Sequence, residues 1–307
     1  LMAWPTYCQN DTIVTRLSSI VPAEDDSDLQ QLDGYFEKAQ VVGLGESTHG
    51  THEFWTMRFR IFQYLIKHHD FSIFFLEADY ANCLRLNRYI LGSDDDVEEA
   101  VQELGQWPWI TAEMVEIANW MRTYNSMEPQ RKLEFIGVDA QNYNSTLKKI
   151  DALLAKYDLP STDTLVYQPI SFAEFYKLKP KQMEPYFELV ASKDVDLSKF
   201  DFADRTEYSN LLDHLKQSVD IQSQKKSGDQ SEMRDKNMAK NLLRYLEDEK
   251  GLKGIYWAHT GHSATLSFGD FGTEDWGGST GGYLKEVLGQ GYFSIGLDFD
   301  VGSFNAW

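Results

Sequence analysis

The chain has 307 residues, with 29 basic against 48 acidic side chains and a formal charge of −19. That balance excludes a nucleic-acid binder, which needs positive charge against phosphate, and excludes docking on an anionic membrane. Hydrophobic residues at 42% and aromatics at 14% supply a sizeable core for one large or two ordinary domains and exclude dominant disorder.

In chain order, Gln40–Leu44 is the first short apolar run, and a helical stripe over His52–His69 follows it. Phe71–Leu76 is the second run, followed by helical spacing over Ala81–Leu91 and Thr111–Tyr124. Leu133–Val138 is the third, followed by Thr146–Tyr157. Gly254–Ala258 and Tyr292–Leu297 are the last two, with a short helix over Gly282–Leu288 between them. Short, nearly continuous apolar runs read as buried strands of a parallel sheet, and their alternation with helices predicts an α/β fold with a central parallel-rich sheet.

The polar stretch 158–249 breaks this rhythm. It carries helical patterns over Ile170–Leu178, Lys181–Ala191, Arg205–Asp220 and Glu232–Glu249, with an exposed connection at Gln222–Asp229. The expected organisation is an α/β core of residues 1–157 and 250–307 and a helical insertion or cap at 158–249. Cys8 and Cys83 form neither a disulfide framework nor a zinc motif, and a single bridge between them stays open. No apolar run approaches the roughly 18 residues of a transmembrane helix. A cytoplasmic location is the expectation; because the chain starts at Leu1, a processed N terminus leaves a secreted or periplasmic one open.

Each apolar run ends in chemistry. The first leads into Glu46-Ser47-Thr48-His49, the second into Glu77, the third into Asp139, the fourth into His259 with His262, and the fifth into Asp298. Ligands of open α/β sheets bind outside the carboxyl ends of the strands, so these groups are expected to converge on one crevice. Histidine suits proton transfer near neutral pH, and a carboxylate such as Glu46 or Glu77 would orient its ring. Arg58, on the helix after His49, would pair with those carboxylates or hold an anion; a lone helix arginine is otherwise a solvated charge. The glycines at 277, 278 and 281 around Ser279 fit the G-x-S-x-G pattern but lack the strand before it, so a helix-capping loop is expected. Trp107 is open between pocket wall and core, and Trp109 is assigned to the core.

The run Val41-Val42-Gly43-Leu44-Gly45-Glu46-Ser47-Thr48-His49-Gly50-Thr51-His52-Glu53-Phe54 resembles the signature of the erythromycin esterase family. The resemblance continues through Arg58, Glu77, Trp107, Glu113, Trp120-Met121-Arg122, Gly137-Val138-Asp139-Ala140-Gln141, Arg234 and Ala258-His259-x-x-His262. It implies hydrolysis of an ester or macrocyclic lactone of the erythromycin type by direct water attack, without a serine nucleophile. It makes His49 the general base and Glu46 its orienting carboxylate. Glu77 and Arg58 complete the polar network, while His259 and His262 stabilise the oxyanion. Trp107, Glu113, Asp139 and Arg234 are the expected substrate-binding residues. Thr260 departs from the asparagine usual there, and members usually run beyond the fifth strand, so an exposed apolar face near Phe299–Trp307 is expected.

No cofactor is expected, and a divalent metal on the same Glu/His cluster is the less favoured alternative. The expected partner is a small-molecule ester or lactone, with neither nucleic acid nor membrane; the oligomeric state is open. The alternative in another class is a non-macrolide binding or biosynthetic accessory protein.

Overall fold

The computed structural model describes residues 17–22, 25–141, 143–159, 195–247, 251–265, 278–301 and 303. The expectations for Cys8, for the helices Ile170–Leu178 and Lys181–Ala191, and for residues 304–307 lie outside the described residues.

Five strands form one sheet: β1 (Val41–Glu46), β2 (Ile73–Asp79), β3 (Glu134–Asp139), β4 (Gly254–His259) and β5 (Tyr292–Leu297). Their order is β3-β2-β4-β1-β5, and every pairing is parallel. β1 and β2 are buried along their whole length, which is why their sequences run apolar without alternation. The main helices are α1 (His52–His69), α2 (Tyr80–Leu91), α3 (Ala112–Ser126), α4 (Tyr143–Lys156), α5 (Phe202–Ser223), α6 (Ser227–Glu247) and α7 (Thr280–Leu288). Their starts follow capping chemistry: Thr111 accepts from the Met114 N–H at 3.1 Å, and Asp201 from the Asp204 N–H at 2.8 Å. Gly92, at φ 112°, closes α2 in the left-handed region that favours glycine.

Two apolar layers sandwich the sheet. On one face Leu44, Phe74, Leu76, Ile255 and Trp257 pack against α1 and α3. On the other, Val41, Ile73, Phe75, Tyr256 and Ala258 pack against α4, α5, α6 and α7. The described part of the stretch expected as a cap, 195–247, therefore lies directly on the sheet as part of its second helical layer. The exposed connection expected at Gln222–Asp229 is shorter than the sequence suggested. α5 runs on through Ser223 because Ile221 and Gln222 are buried, and α6 begins at Ser227.

The layers position the site. The chain leaves β1 toward the first layer and β4 toward the second, and these two strands are neighbours, with Glu46 in register with His259. Ligands of open α/β sheets bind at such carboxyl ends. Gly45 permits the close approach there: a Cβ would stand 2.4 Å from Ser263 Oγ and 3.0 Å from Thr260 Cα, in the helical turn Thr260–Ser263.

Candidate active site

Glu46 ends β1 with a fully buried carboxylate. An isolated charge there would be prohibitive, and two partners compensate it. Arg58 Nη2, also fully buried on α1, donates to Oε2 at 2.5 Å, and His49 Nδ1 lies 2.7 Å from Oε1. An ionised carboxylate only accepts, so Nδ1 carries the proton, and in the neutral ring Nε2 keeps its lone pair. Among the described residues nothing bonds Nε2. The His49 ring meets the edges of Trp107, at 6.0 Å between centroids, and of buried Trp109, at 5.4 Å. Arg58 is stacked 3.9 Å over the Trp257 ring. Burial pulls its guanidinium down to about 10, against the opposing pull of Glu46 and Glu77.

Glu77 sits where β2 departs from regular pairing. Leu76 pairs with Gly137 and Asp79 with Asp139, so two residues of β2 oppose one of β3. The bulge re-aims the side chain. Glu77 Oε1 accepts from Arg234 Nη2 at 2.7 Å, and Oε2 from the backbone N–H of His259 at 2.9 Å. Burial alone would raise its carboxyl, but the charges of His262 and Arg234 outweigh that and hold it at about 2. Arg234 reaches in from α6 and also grips Asp139, through Nε at 3.0 Å and Nη2 at 2.7 Å. Arg234 is thus not the solvated charge that a lone arginine on so polar a helix ordinarily is.

His262 Nδ1 lies 2.8 Å from Asp235 Oδ1, while its Nε2 stands 3.0 Å from Arg234 Nη1 and 3.2 Å from Glu77 Oε1. Burial would lower the imidazole, but Glu77 and Asp235 overcome it and raise its proton affinity. His259 lies beside His49, with ring centroids 5.3 Å apart. Its Nε2 donates to the Ser47 carbonyl at 3.0 Å, and its Nδ1 accepts from the Gly261 N–H at 3.0 Å. Both nitrogens are spent, so in this arrangement His259 has no N–H for the expected oxyanion role; it pins the loop that carries His49. Burial lowers its proton affinity, in keeping with that neutral tautomer. The Thr260 hydroxyl is buried without a partner and takes no part in fixing His259.

The site therefore gathers Glu46, His49 and Arg58 into one cluster and Glu77, Asp139, Arg234, His259 and His262 into a second, with the two joined where His49 meets His259. Trp107, 47% exposed, forms a wall beside His49. Glu113 stands apart from both clusters and pairs with the exposed His52 at 2.7 Å. Asp298, at the end of β5, accepts from the Ser47 hydroxyl at 2.9 Å. Ser279 caps α7, accepting from the Gly282 N–H at 3.0 Å, as expected of a capping loop. Asp235, Trp257 and the Ser47 carbonyl were not among the expected site groups. Asp235 was detectable, since it continues the buried stripe of Met238, Ala239, Leu242 and Leu246 on α6, where a charge needs a reason.

Among the described residues no group of three or more His, Cys, Asp or Glu side chains is arranged around a common point. Glu46, Glu77 and Asp139 each turn at least one oxygen to a guanidinium group.

A family profile described as erythromycin esterase matches residues 66–307. That span includes Glu77 to His262 and begins after Glu46, His49 and Arg58. Two Escherichia coli proteins, erythromycin esterase type II and type I, are 26% and 29% identical to this chain over 120 and 118 residues, 38% of the chain in each case. These alignments span about a quarter of the relatives' own lengths, 27% and 28%. Among solved structures the chain is similar to a succinoglycan biosynthesis protein, with 25% identity and a TM-score of 0.75 over 91% of this chain and 71% of that one. A Bacillus cereus protein matches over the same shares with 26% identity and a TM-score of 0.71. An erythromycin esterase mutant in its open conformation shares the fold, at 21% identity and a TM-score of 0.66 over 90% of this chain and 74% of that one.

Proposed function

The chain belongs to the erythromycin esterase family, and from that premise we propose that it hydrolyses a carboxylic ester or lactone by attack of water activated by His49. The observation that carries this is the His49 ring: Nδ1–H is held by buried Glu46, itself clamped by Arg58, while Nε2 is left without a partner among the described residues. Nε2 takes a proton from water as the water oxygen bonds to the acyl carbon. The C–O bond to the leaving alkoxide then breaks, and the proton on Nε2 passes to that alkoxide. Glu46 stabilises the transient imidazolium. Positioned general bases of this kind contribute about 10²–10⁴ in rate. Trp107 lines the binding face, and macrocyclic lactones of the macrolide type are the first substrate class to try.

A second reading, a binding or biosynthetic accessory protein, draws on the similarity to a succinoglycan biosynthesis protein. A panel of esters and lactones incubated with the purified chain, with and without chelator, separates the readings. Hydrolysis insensitive to chelator supports the proposal. Binding without cleavage favours the accessory reading, and loss of hydrolysis with chelator restores a metal-dependent one.

A further inference from the structure

Trp109, a core residue by its sequence, touches both halves of the site. It ends the 3₁₀ turn Trp107–Trp109 and is 1% exposed. The regular register of β2 with β4 ends at Leu76 and Trp257, and β2 bulges against β3 between Leu76 and Asp79. Within that irregular stretch the indole Nε1–H donates to the Glu77 carbonyl at 2.9 Å, sharing its proton with Gln106 Oε1 at 3.1 Å. The indole ring stands 5.4 Å from the His49 ring at 81°, and 6.1 Å from Trp55. Trp55 and Trp257 in turn lie against the Arg58 guanidinium, at 5.5 Å and 3.9 Å. From Trp109 the contacts run in a closed path. Its N–H holds the Glu77 main chain, the Glu77 carboxylate holds the His259 N–H at 2.9 Å, and His259 Nε2 holds the Ser47 carbonyl at 3.0 Å. Two residues on, the His49 ring returns to Trp109.

We propose that Trp109 is a positioning residue for the hydrolysis put forward above: its N–H fixes the main chain of the Glu77 bulge, and its ring fixes the plane of the His49 imidazole. The 2.7 Å bond from Nδ1 to Glu46 holds one corner of that imidazole. A ring held at one corner still swings about that bond and carries Nε2 away from the water it is to activate. The neighbouring rings stop the swing. Trp107 is one of them, but it is 47% exposed. Trp109 is the buried one, and its own donor is tied to β2. The turn that carries it contains Pro108, whose ring fixes φ. Near-perpendicular aromatic pairs at this separation are favourable in themselves. A misplacement of about 1 Å at a reacting group costs about 10²-fold in rate, so holding Nε2 in place is a contribution distinct from filling the core.

The test compares Trp109→Leu, which removes ring and N–H, with Trp109→Phe, which keeps an aromatic ring and removes the N–H. Trp120→Leu is the control, since that ring packs on Phe59, Phe62 and Tyr124, away from both clusters. Hydrolysis of the best ester, the unfolding midpoint and ¹H–¹⁵N NMR of the His49 Nδ1–H are measured on each whole chain. Trp109→Leu is expected to lose about 10²-fold in kcat with KM within about twofold, because a misplaced base weakens only the transition state. Trp109→Phe should fall between it and the wild type. The His49 Nδ1–H should exchange with water at least about tenfold faster in Trp109→Leu. Trp120→Leu should lose stability with kcat and exchange within about twofold of wild type. A wild-type kcat in Trp109→Leu, a loss carried by KM, an unmoved exchange rate or an equal kcat loss in Trp120→Leu overturns the proposal. Wild-type kcat in Trp109→Phe overturns the role of the N–H, and decides against the proposal where Trp109→Leu does not fold. Failure of every ester to react sinks the hydrolase reading and the role in catalysis with it, while the exchange rate still decides whether Trp109 holds the imidazole.

Discussion

The Glu46–Arg58 pair permits a prediction in which stability and activity part company. Both side chains are buried, at 1% and 0% exposure, and their contact is 2.5 Å. Removing one member of such a pair strands the other, at a typical cost of about 3–5 kcal/mol. Each single variant here should fall near the lower bound, because each stranded charge keeps a second partner. In Glu46→Gln, Arg58 still stacks on Trp257 at 3.9 Å. In Arg58→Met, Glu46 still holds His49 at 2.7 Å. Two independent losses would sum to about 6 kcal/mol, whereas replacing both charges removes the stranded group, so the double variant should cost only about 3 kcal/mol. Urea unfolding of the four proteins gives the interaction energy directly. Ester hydrolysis should not recover in parallel. Glu46→Gln and the double variant both lack the anion behind His49 and should lose about 10²–10⁴ in kcat. A double variant as unstable as the sum would refute the buried pair, and one with wild-type turnover would refute the role of Glu46.

The low carboxyl of Glu77 makes acid stability a second readout. A folded-state value held at about 2 against an ordinary 4.5 contributes stability that is present above the ordinary value and lost as pH falls toward the folded one. Across pH 5 to 3 the wild type should lose about 2 kcal/mol more than Glu77→Gln, by urea unfolding at each pH; equal slopes would contradict it. The raised affinity of His262 reports the same contact from the other side and is not added. Gly45→Ala drives a Cβ into Ser263 and the Thr260 backbone, so it should destabilise by about 1–3 kcal/mol and lower kcat by displacing the loop after β1. An unchanged melting midpoint would count against that packing.

The sheet was legible because its inner strands are buried on both faces and spell continuous apolar runs. Strand ends were less so. β1, β2, β3 and β4 each continue into Glu46, Asp79, Asp139 or His259, residues that do not look like strand, because ladder pairing and arginine partners carry them. The convergence of charged strand ends was readable from position alone, since parallel strands deliver their carboxyl ends to one edge. The roles were not. Which carboxylate serves His49, and that His259 spends both nitrogens on backbone groups, depend on distances of a few ångströms between segments far apart in sequence. The partners of Arg234 and Asp235 were hidden because α6 is polar overall, and only the register of its buried stripe sets Asp235 inside. Glu113 carries the family pattern yet pairs with exposed His52, outside both clusters.

Hydrolysis by activated water depends most directly on His49. kcat/KM of His49→Ala should be measured on the best substrate from the ester and lactone panel, with the unfolding midpoint recorded on the same sample. A half-exposed loop side chain whose carboxylate keeps its arginine should be lost with little change in stability. The predicted result is a fall in kcat/KM of at least about 10²-fold in a folded protein, and activity within about twofold of wild type would contradict the general-base role.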